Sequence, residues 1–554
     1  MQQVEVNNGE AIELNPISDE ARQNKSAQQS IQNDDSEAYP ESSKLFFILS
    51  SLCLAVFLVS LDEGIITTAI PKITDQFQSL SDAGWYASCY LITMSTSQLL
   101  FGKVFSYFPL KTSYVVSIAI FELGSLICGV APSSSALIIG RAIAGIGGAG
   151  IMTGAFVIIA VSIPLHKRAV YLGLIEAVFA IGSVAGPLLG GVFTDSKLTW
   201  RWCFFINLPF GVIAAAITLY AIKTKASTPP SQQKSIMQKI NKLDLPGQFL
   251  LLLALFCILY SLQMGGVVWP WNSVKIIILL VLGGVFSLAY IAFEIWKGND
   301  AGLPPRIIGQ RSIAFGAIFM AFLAGCLFTL MYYIPIWLQA IKGVSAVRSG
   351  ILNLPFLLGV MATSLTSGAL TSFVGYYNPF MIASGLFMGL GAGLLFSITP
   401  DAKEGMLIGY QLLAGLGVGL GIQQSNMAAM RVLSPEDIPV GAGIMQFALT
   451  LGGGLTVAIA QTVFQNTLIS LIQARVPEIP DAANFVVNIG ATELKAQVEK
   501  LGGPALVVEV LLAYNSAILK TFLLATVMGA VAILPALSMP WMSMKRRNMA
   551  ASNT

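Results

Sequence analysis

Leu137-Ile138-Ile139-Gly140-Arg141-Ala142-Ile143-Ala144-Gly145-Ile146-Gly147-Gly148-Ala149-Gly150 lies in an apolar run, residues 136–160, whose only charge is Arg141. A helix of about 20 residues crosses a hydrocarbon core of about 30 Å. In lipid such a run must satisfy its own backbone, which a helix does. Arginine at that depth costs a few kcal/mol, so Arg141 either faces a cavity or a partner, or snorkels to the nearer interface. The glycines let neighbouring backbones come close.

The same texture fills the chain. Of 554 residues, 55% are hydrophobic and 11% charged, with mean hydropathy +0.74. A water-facing surface needs about a quarter charged, so lipid is the solvent for most of the chain. A net charge of +3 gives no basis for nucleic-acid binding. Fourteen apolar runs are legible, at 45–69, 83–104, 112–132, 136–160, 169–193, 202–222, 246–265, 273–295, 312–338, 350–373, 378–398, 405–429, 440–465 and 515–540. The eight tryptophans fall near the ends of these runs, the usual place of amphipathic rings in a bilayer.

Basic residues set the orientation. Nineteen basic residues, among them Lys103, Lys111, Lys167, Arg168, Lys242, Lys297, Arg306, Arg311 and Arg431, fall on one side, against seven in short loops on the other, Lys72, Lys197, Arg201, Lys275, Lys342, Arg348 and Lys403. The richer side is the cytoplasm, and both termini lie there. Residues 1–44 are polar and acidic and read as a disordered cytoplasmic tail, with the first apolar run as internal insertion signal. Residues 223–245 read as a cytoplasmic linker, 466–514 as an external loop with a short amphipathic helix around Glu493–Lys500, and 541–554 as a cytoplasmic tail.

An internal repeat organises the runs. Ala144-Gly145-Ile146-Gly147 in the fourth recurs as Ala414-Gly415-Leu416-Gly417 in the twelfth, 270 residues on. Gly102 at the end of the second is matched by Gly368 at the end of the tenth, 266 residues on. The predicted fold is an all-α membrane protein of 6+2+6 spans: a six-helix bundle over 45–222, two accessory spans within 246–311, and a second bundle over 312–540.

Candidate proton-coupling groups are Arg141 and the intramembrane carboxylates Asp62, Glu63, Glu122 and Glu176. Asp62 and Glu63 are adjacent and point about 100° apart, so both cannot line one cavity equally. Gly182, Gly186 and Gly190 share one face of the fifth run, beside Pro187 and Gly191. They read either as tight packing or as a pliable seam where the halves rock. Gln98, Gln339, Gln423, Gln424, Asn426 and Gln446 are uncharged polar residues in apolar runs, and are candidates for substrate contact or for helix–helix hydrogen bonds. The single histidine, His166, sits in a basic loop and reads as a surface residue. The six cysteines are scattered singly and read as packing residues. No metal-ligand cluster, catalytic constellation or P-loop stands in the sequence, so no cofactor, metal or ATP is expected, and the chain is not expected to be an enzyme.

Leu61-Asp62-Glu63-Gly64-Ile65-Ile66-Thr67-Thr68-Ala69-Ile70-Pro71 resembles the span-one motif of fourteen-span drug:proton antiporters of the major facilitator superfamily. Leu137 to Gly147 resembles that superfamily's span-four arginine motif, Gly182 to Gly191 the span-five antiporter motif, and Trp200-Arg201-Trp202-Cys203-Phe204-Phe205-Ile206-Asn207-Leu208-Pro209 the start of span six. Phe121 to Pro132 is similar to fungal toxin and secondary-metabolite efflux pumps. The resemblance implies proton coupling through Arg141, and export through Gly186 and Pro187. Two departures stand out. Ser106, Tyr107, Pro109 and Lys111 occupy the loop where the superfamily carries an acid, and Glu63-Gly64 stands where such pumps more often have Asn-Thr. The expectation is a proton-coupled exporter of a small amphiphilic molecule in the plasma membrane, with a vacuolar or vesicular membrane as the variant. An importer of the same fold is the competing expectation, ahead of a non-transporting receptor.

Overall fold

The computed structural model describes residues 42–77, 82–222, 236–476 and 494–543. The expected tails, most of the linker and part of the external loop, at 1–41, 223–235, 477–493 and 544–554, lie outside the described residues. Fourteen long helices are present among the described ones: α1 (Ser42–Phe77), α2 (Ala83–Tyr107), α3 (Leu110–Val130), α4 (Ser134–Ser162), α5 (Leu165–Asp195), α6 (Asn207–Ala221), α7 (Leu245–Met264), α8 (Val274–Lys297), α9 (Arg311–Ala340), α10 (Ala346–Val374), α11 (Asn378–Phe396), α12 (Glu404–Gly421), α13 (Ile438–Arg475) and α14 (Leu494–Val531). Thirteen candidate spans meet the length and apolarity needed to cross a membrane. The helix not among them is α2, which is 25 residues long and carries Ser95, Thr96, Ser97, Gln98 and Lys103 in its inner turns. Below, the face at which α1 begins is the first face.

The pairings within α1–α6 recur within α9–α14. In the first set α1 packs on α5 and α6, α4 on α2 and α3, and α3 on α6. In the second set α9 packs on α13 and α14, α12 on α10 and α11, and α11 on α14. Glycines explain why the sequence match survives. A Cβ on Gly147 would lie 2.6 Å from the Cα of Phe121 in α3, and one on Gly417 would lie 2.8 Å from the Cα of Met388 in α11. The backbones cross too closely at both places for any side chain.

The two sets meet through α2 on α13 and α5 on α10. The close backbone approaches lie toward the first face. Gly102 meets Pro439 and Val440, Gly443 meets Gln98 and Gly102, Gly173 meets Ser364, and Gly368 meets Ala169. The accessory pair α7–α8 lies beside this seam, with α7 against both α2 and α13. Trp85 stacks on Phe256 at 5.1 Å, and Thr462 donates to the Leu262 carbonyl at 2.8 Å.

Helix continues through much of what reads as external loop. α13 runs to Arg475 and α14 begins at Leu494, so residues 494–500 are its first turns rather than a separate helix. A helix that leaves the membrane needs no apolar surface, so hydropathy does not reveal its extension. Span six is broken between Trp202–Phe205 and Asn207–Ala221, and span twelve between α12 and a short helix Gln424–Val432. Trp337 lies near the end of α9, as expected, but faces the protein rather than the surface. It is wholly buried and donates to Asn515 Oδ1 at 2.7 Å, satisfying its indole inside the packing of α9 and α14.

Candidate functional site

Arg141 has a partner rather than snorkelling. Its Nη1 makes an ion pair with Asp62 Oδ2, and the two side chains are 1% and 0% exposed. Its Nε donates to the Tyr86 carbonyl at 2.8 Å, and its guanidinium lies 4.3 Å from the centre of the Tyr90 ring. Asn207 Nδ2 donates to the other Asp62 oxygen at 3.3 Å and to Ser125 Oγ at 3.1 Å. Five helices, α1, α2, α3, α4 and α6, thus converge on one buried pair. Charge is tolerated there because each ion is met by the other and by further donors or acceptors.

Glu63, next to Asp62 and half-buried, has Asp62 and Arg141 as the charges within reach. Gly64 follows. A Cβ there would lie 3.1 Å from Pro187 Cδ, and Gly186 would meet Gly64 in the same way. Gly182 faces Phe57 and Ser60, and Gly190 faces Ile65 and Thr68. The glycine face of α5 therefore packs on α1 within one half, not on the seam between halves; Gly191 has open space around it. The tight inter-half contacts of α5 are made through Ala169 and Gly173, and Leu188 lies 3.8 Å from a Cβ position on Gly350 of α10 toward the other face. The antiporter-like segment is coupled in space to Asp62 and Glu63.

Glu122 and Glu176 make no bond to the pair, although the charge of Asp62 reaches Glu122. Glu122 presses against Gly211 of α6, and neither of its oxygens has a hydrogen-bond partner among the described residues. Glu176 is buried in α5 with Oε1 unpartnered among them.

The candidate substrate-binding amides are not gathered in one place. Gln98 donates to Thr450 Oγ1 at 2.8 Å across the α2–α13 seam. Gly443 and Thr450 both face α2, and Gln446 lies between them on the same stripe. Gln446 is fully buried, with both amide atoms unpartnered among the described residues. Gln339 donates to Ser349 Oγ at 2.9 Å near the second face. Gln423 donates to the Ser364 carbonyl and to Ser367 Oγ, Gln424 takes a bond from Thr371 at 3.2 Å, and Asn426 is buried near the first face.

Three residues outside the predicted set matter. Asn207 and Tyr90 complete the charge site; each is a polar group in an apolar run, and Asn207 lies in a quoted motif. Gln411 stands 270 residues after Arg141, at the same place in the repeat. It is 0% exposed, with both amide atoms unpartnered among the described residues. The repeat offset was sufficient to find it.

Two six-helix sets related by a repeat, joined at two seams around helices long and apolar enough to cross a membrane, are the architecture of a membrane transporter. The chain belongs to the Major Facilitator Superfamily, whose family model matches residues 52–457. It is 45% identical to the MFS-type efflux pump MFS1 of Arthroderma benhamiae over 91% of this chain and 93% of that protein. It is 44% identical to the MFS-type transporter astH of Aspergillus oryzae over 96% and 94%. It is 40% identical to the aspyridones efflux protein of Neocamarosporium betae over 91% and 89%. Among solved structures it resembles the proton:xylose symporter XylE, with TM-score 0.59, 14% identity, and coverage of 91% of this chain and 98% of that one. A bacterial homologue of the lysosomal transporter Spinster gives TM-score 0.56 at 15% identity, covering 90% and 98%. The chain is a multi-pass membrane transporter.

Proposed function

We propose that this transporter exports a small amphiphilic molecule, a toxin, drug or secondary metabolite, in exchange for protons. The observation that carries the reading is the Asp62–Arg141 pair, sealed from water, with Glu63 beside it and Gly186-Pro187 packed against the same turn of α1. Protonation of a carboxyl in this cluster would weaken its hold on Arg141, and the change would pass directly to the α1–α5 contact. Glu122 and Glu176 are further carboxyls available to carry a proton. Gln411, Gln446 and Asn426, each with an unpartnered buried amide atom, are the polar groups best suited to meet a substrate when the seam opens. The relatives named as efflux pumps support the direction of transport.

In this reading the bundles span 45–222 and 312–540, α2 makes the fourteenth crossing, the first face and both termini are cytoplasmic, and the site is the plasma membrane. The chain takes a small-molecule substrate and protons within the bilayer, uses neither ATP nor a cofactor, binds no nucleic acid, and performs no covalent chemistry.

The test is uptake of a dye or toxin panel into inside-out vesicles from pump-deficient yeast with an acid interior. Gradient-dependent uptake by the wild type, absent with Arg141→Ala, is expected. Equal flux with and without the gradient would reject antiport. Accumulation only in right-side-out vesicles would favour import.

A further inference from the structure

The two accessory helices are absent from the repeat, and their end at the first face holds a second buried charge cluster. Asp244 precedes α7 with φ +58°, in the left-handed region, and is fully buried. It accepts from Lys297 Nζ at 2.7 Å and from the Gly302 amide at 2.7 Å. Glu294 accepts from the Leu303 amide at 2.6 Å, and Lys242 pairs with Asp300 at 3.1 Å. The groups converge closely. A Cβ on Gly302 would lie 2.6 Å from Gln248 Nε2, 3.1 Å from Asp244 Oδ2 and 3.3 Å from Glu294 Oε1.

Lys103 of α2 lies one turn before Tyr107, whose ring centre is 5.8 Å from the Nζ of Lys242, the partner of Asp300, and α2 packs on α7. Lys103 is 1% exposed, and its Nζ has no hydrogen-bond partner among the described residues. The charges acting on it are Asp300, Asp244 and Glu294, opposed by Lys297. Every acid that offsets it belongs to the accessory segment. Lys103 is also the neighbour of Gly102, whose backbone meets Pro439 and Val440 of α13. On the far side of that contact Arg306, in the connection from α8, grips Asp437 with bonds of 2.6 and 2.9 Å. First half, second half and accessory pair therefore meet at one point.

We propose that Lys103, with Asp244 and Glu294 of the accessory pair, forms an electrostatic latch that holds the first face closed. Opening that face requires α2 to leave α13. Among the described residues the acids that offset the buried ammonium of Lys103 are Asp244 just before α7, Glu294 on α8 and Asp300 just after it, so α2 stays seated while those charges are intact. Lys103 is a positioning residue in the cycle, and the accessory helices act as a third body clamped to the seam. Removing the ammonium leaves the acids in excess and favours separation; neutralising one acid as well restores the balance.

The experiment measures separation of the halves without substrate or gradient, so its result is independent of the export reading. Spin labels are placed at Thr112 and Glu436, exposed residues at the first face on either side of the seam. They are read by double electron–electron resonance in lipid nanodiscs, after the background of the native cysteines has been measured. Lys103→Met should raise the long-distance population about tenfold relative to wild type, and Lys103→Arg should leave it near wild type. Adding Glu294→Gln to Lys103→Met should bring the distribution back toward wild type, which a loss of packing would not do. Unchanged distances in Lys103→Met, or no reversal in the double variant, would overturn the latch. Glu294→Gln alone provides a second entry to the same balance, and should shift the distribution even where Lys103→Met folds poorly.

Discussion

Replacing Arg141 with alanine leaves Asp62 buried with only Asn207 for company. Breaking a buried pair by removing one member costs about 3–5 kcal/mol. Arg141→Ala should lower both the thermal stability of the purified protein and its transport. Asp62→Asn on that background should recover the stability without recovering gradient-driven uptake, and recovery of both would remove the pair from the proposed coupling. A second residue-scale prediction concerns Asp437. Its hydrogen bonds from Arg306 hold its carboxyl below the ordinary carboxylate value of 3.8, partly opposed by burial. A depressed folded value means that the contact contributes fully above the unfolded value and is lost as pH falls through the folded one. The Arg306–Asp437 bond should therefore survive at pH 5 and fail only below the ordinary carboxylate range. Asp437→Asn should abolish that acid transition in a melting series from pH 5 to 2.5.

Helix packing makes its own demands. Gly147 and Gly417 occupy the same crossing in the two halves, so a larger residue should be harmful at both. Overpacking a tight contact costs about 1–3 kcal/mol. Gly147→Val and Gly417→Val should each lower the yield of folded protein on size exclusion, while Gly191→Ala, with open space around it, should not. Equal yields from all three would contradict the close crossings. The glycine runs were legible in the sequence as packing devices, and the repeat offset paired them correctly. What they pack against was not legible: Gly182, Gly186 and Gly190 suit a seam between halves as well as a contact within one, and the structure assigns them to α1. The weak apolarity of α2 has the same origin. Ser88 takes a bond from Gln263 of the accessory pair and Gln98 donates to Thr450 of α13, partners that lipid does not offer, while Ser95 and Thr96 bond carbonyls of their own helix.

At the scale of the molecule, the halves touch closely toward the first face along α2–α13 and α5–α10. Gly443 lies where α2 and α13 come together, with a Cβ position 3.2 Å from the Gly102 Cα. Gly443→Leu should wedge that seam. A cost of about 1.4 kcal/mol on the closed form shifts the open-to-closed ratio about tenfold, so exposure of the seam to a water-soluble label should rise while uptake falls. Unaltered labelling would show that closure does not depend on this contact. The sequence alone determined that the chain lives in lipid, that its helices fall into two repeated sets with a pair between them, and that Arg141 must find a cavity, a partner or the interface. These follow from run length, repeat offset and the cost of a bare charge, all of which are properties of local sequence. Only the tertiary structure chose Asp62 among four carboxylates, brought Asn207 and Tyr90 to it, and set α2, which carries Lys103, against the accessory pair. Residues 62 and 141 stand 79 apart in the chain, and pairing across that distance is fixed by how the helices pack, which no local pattern encodes.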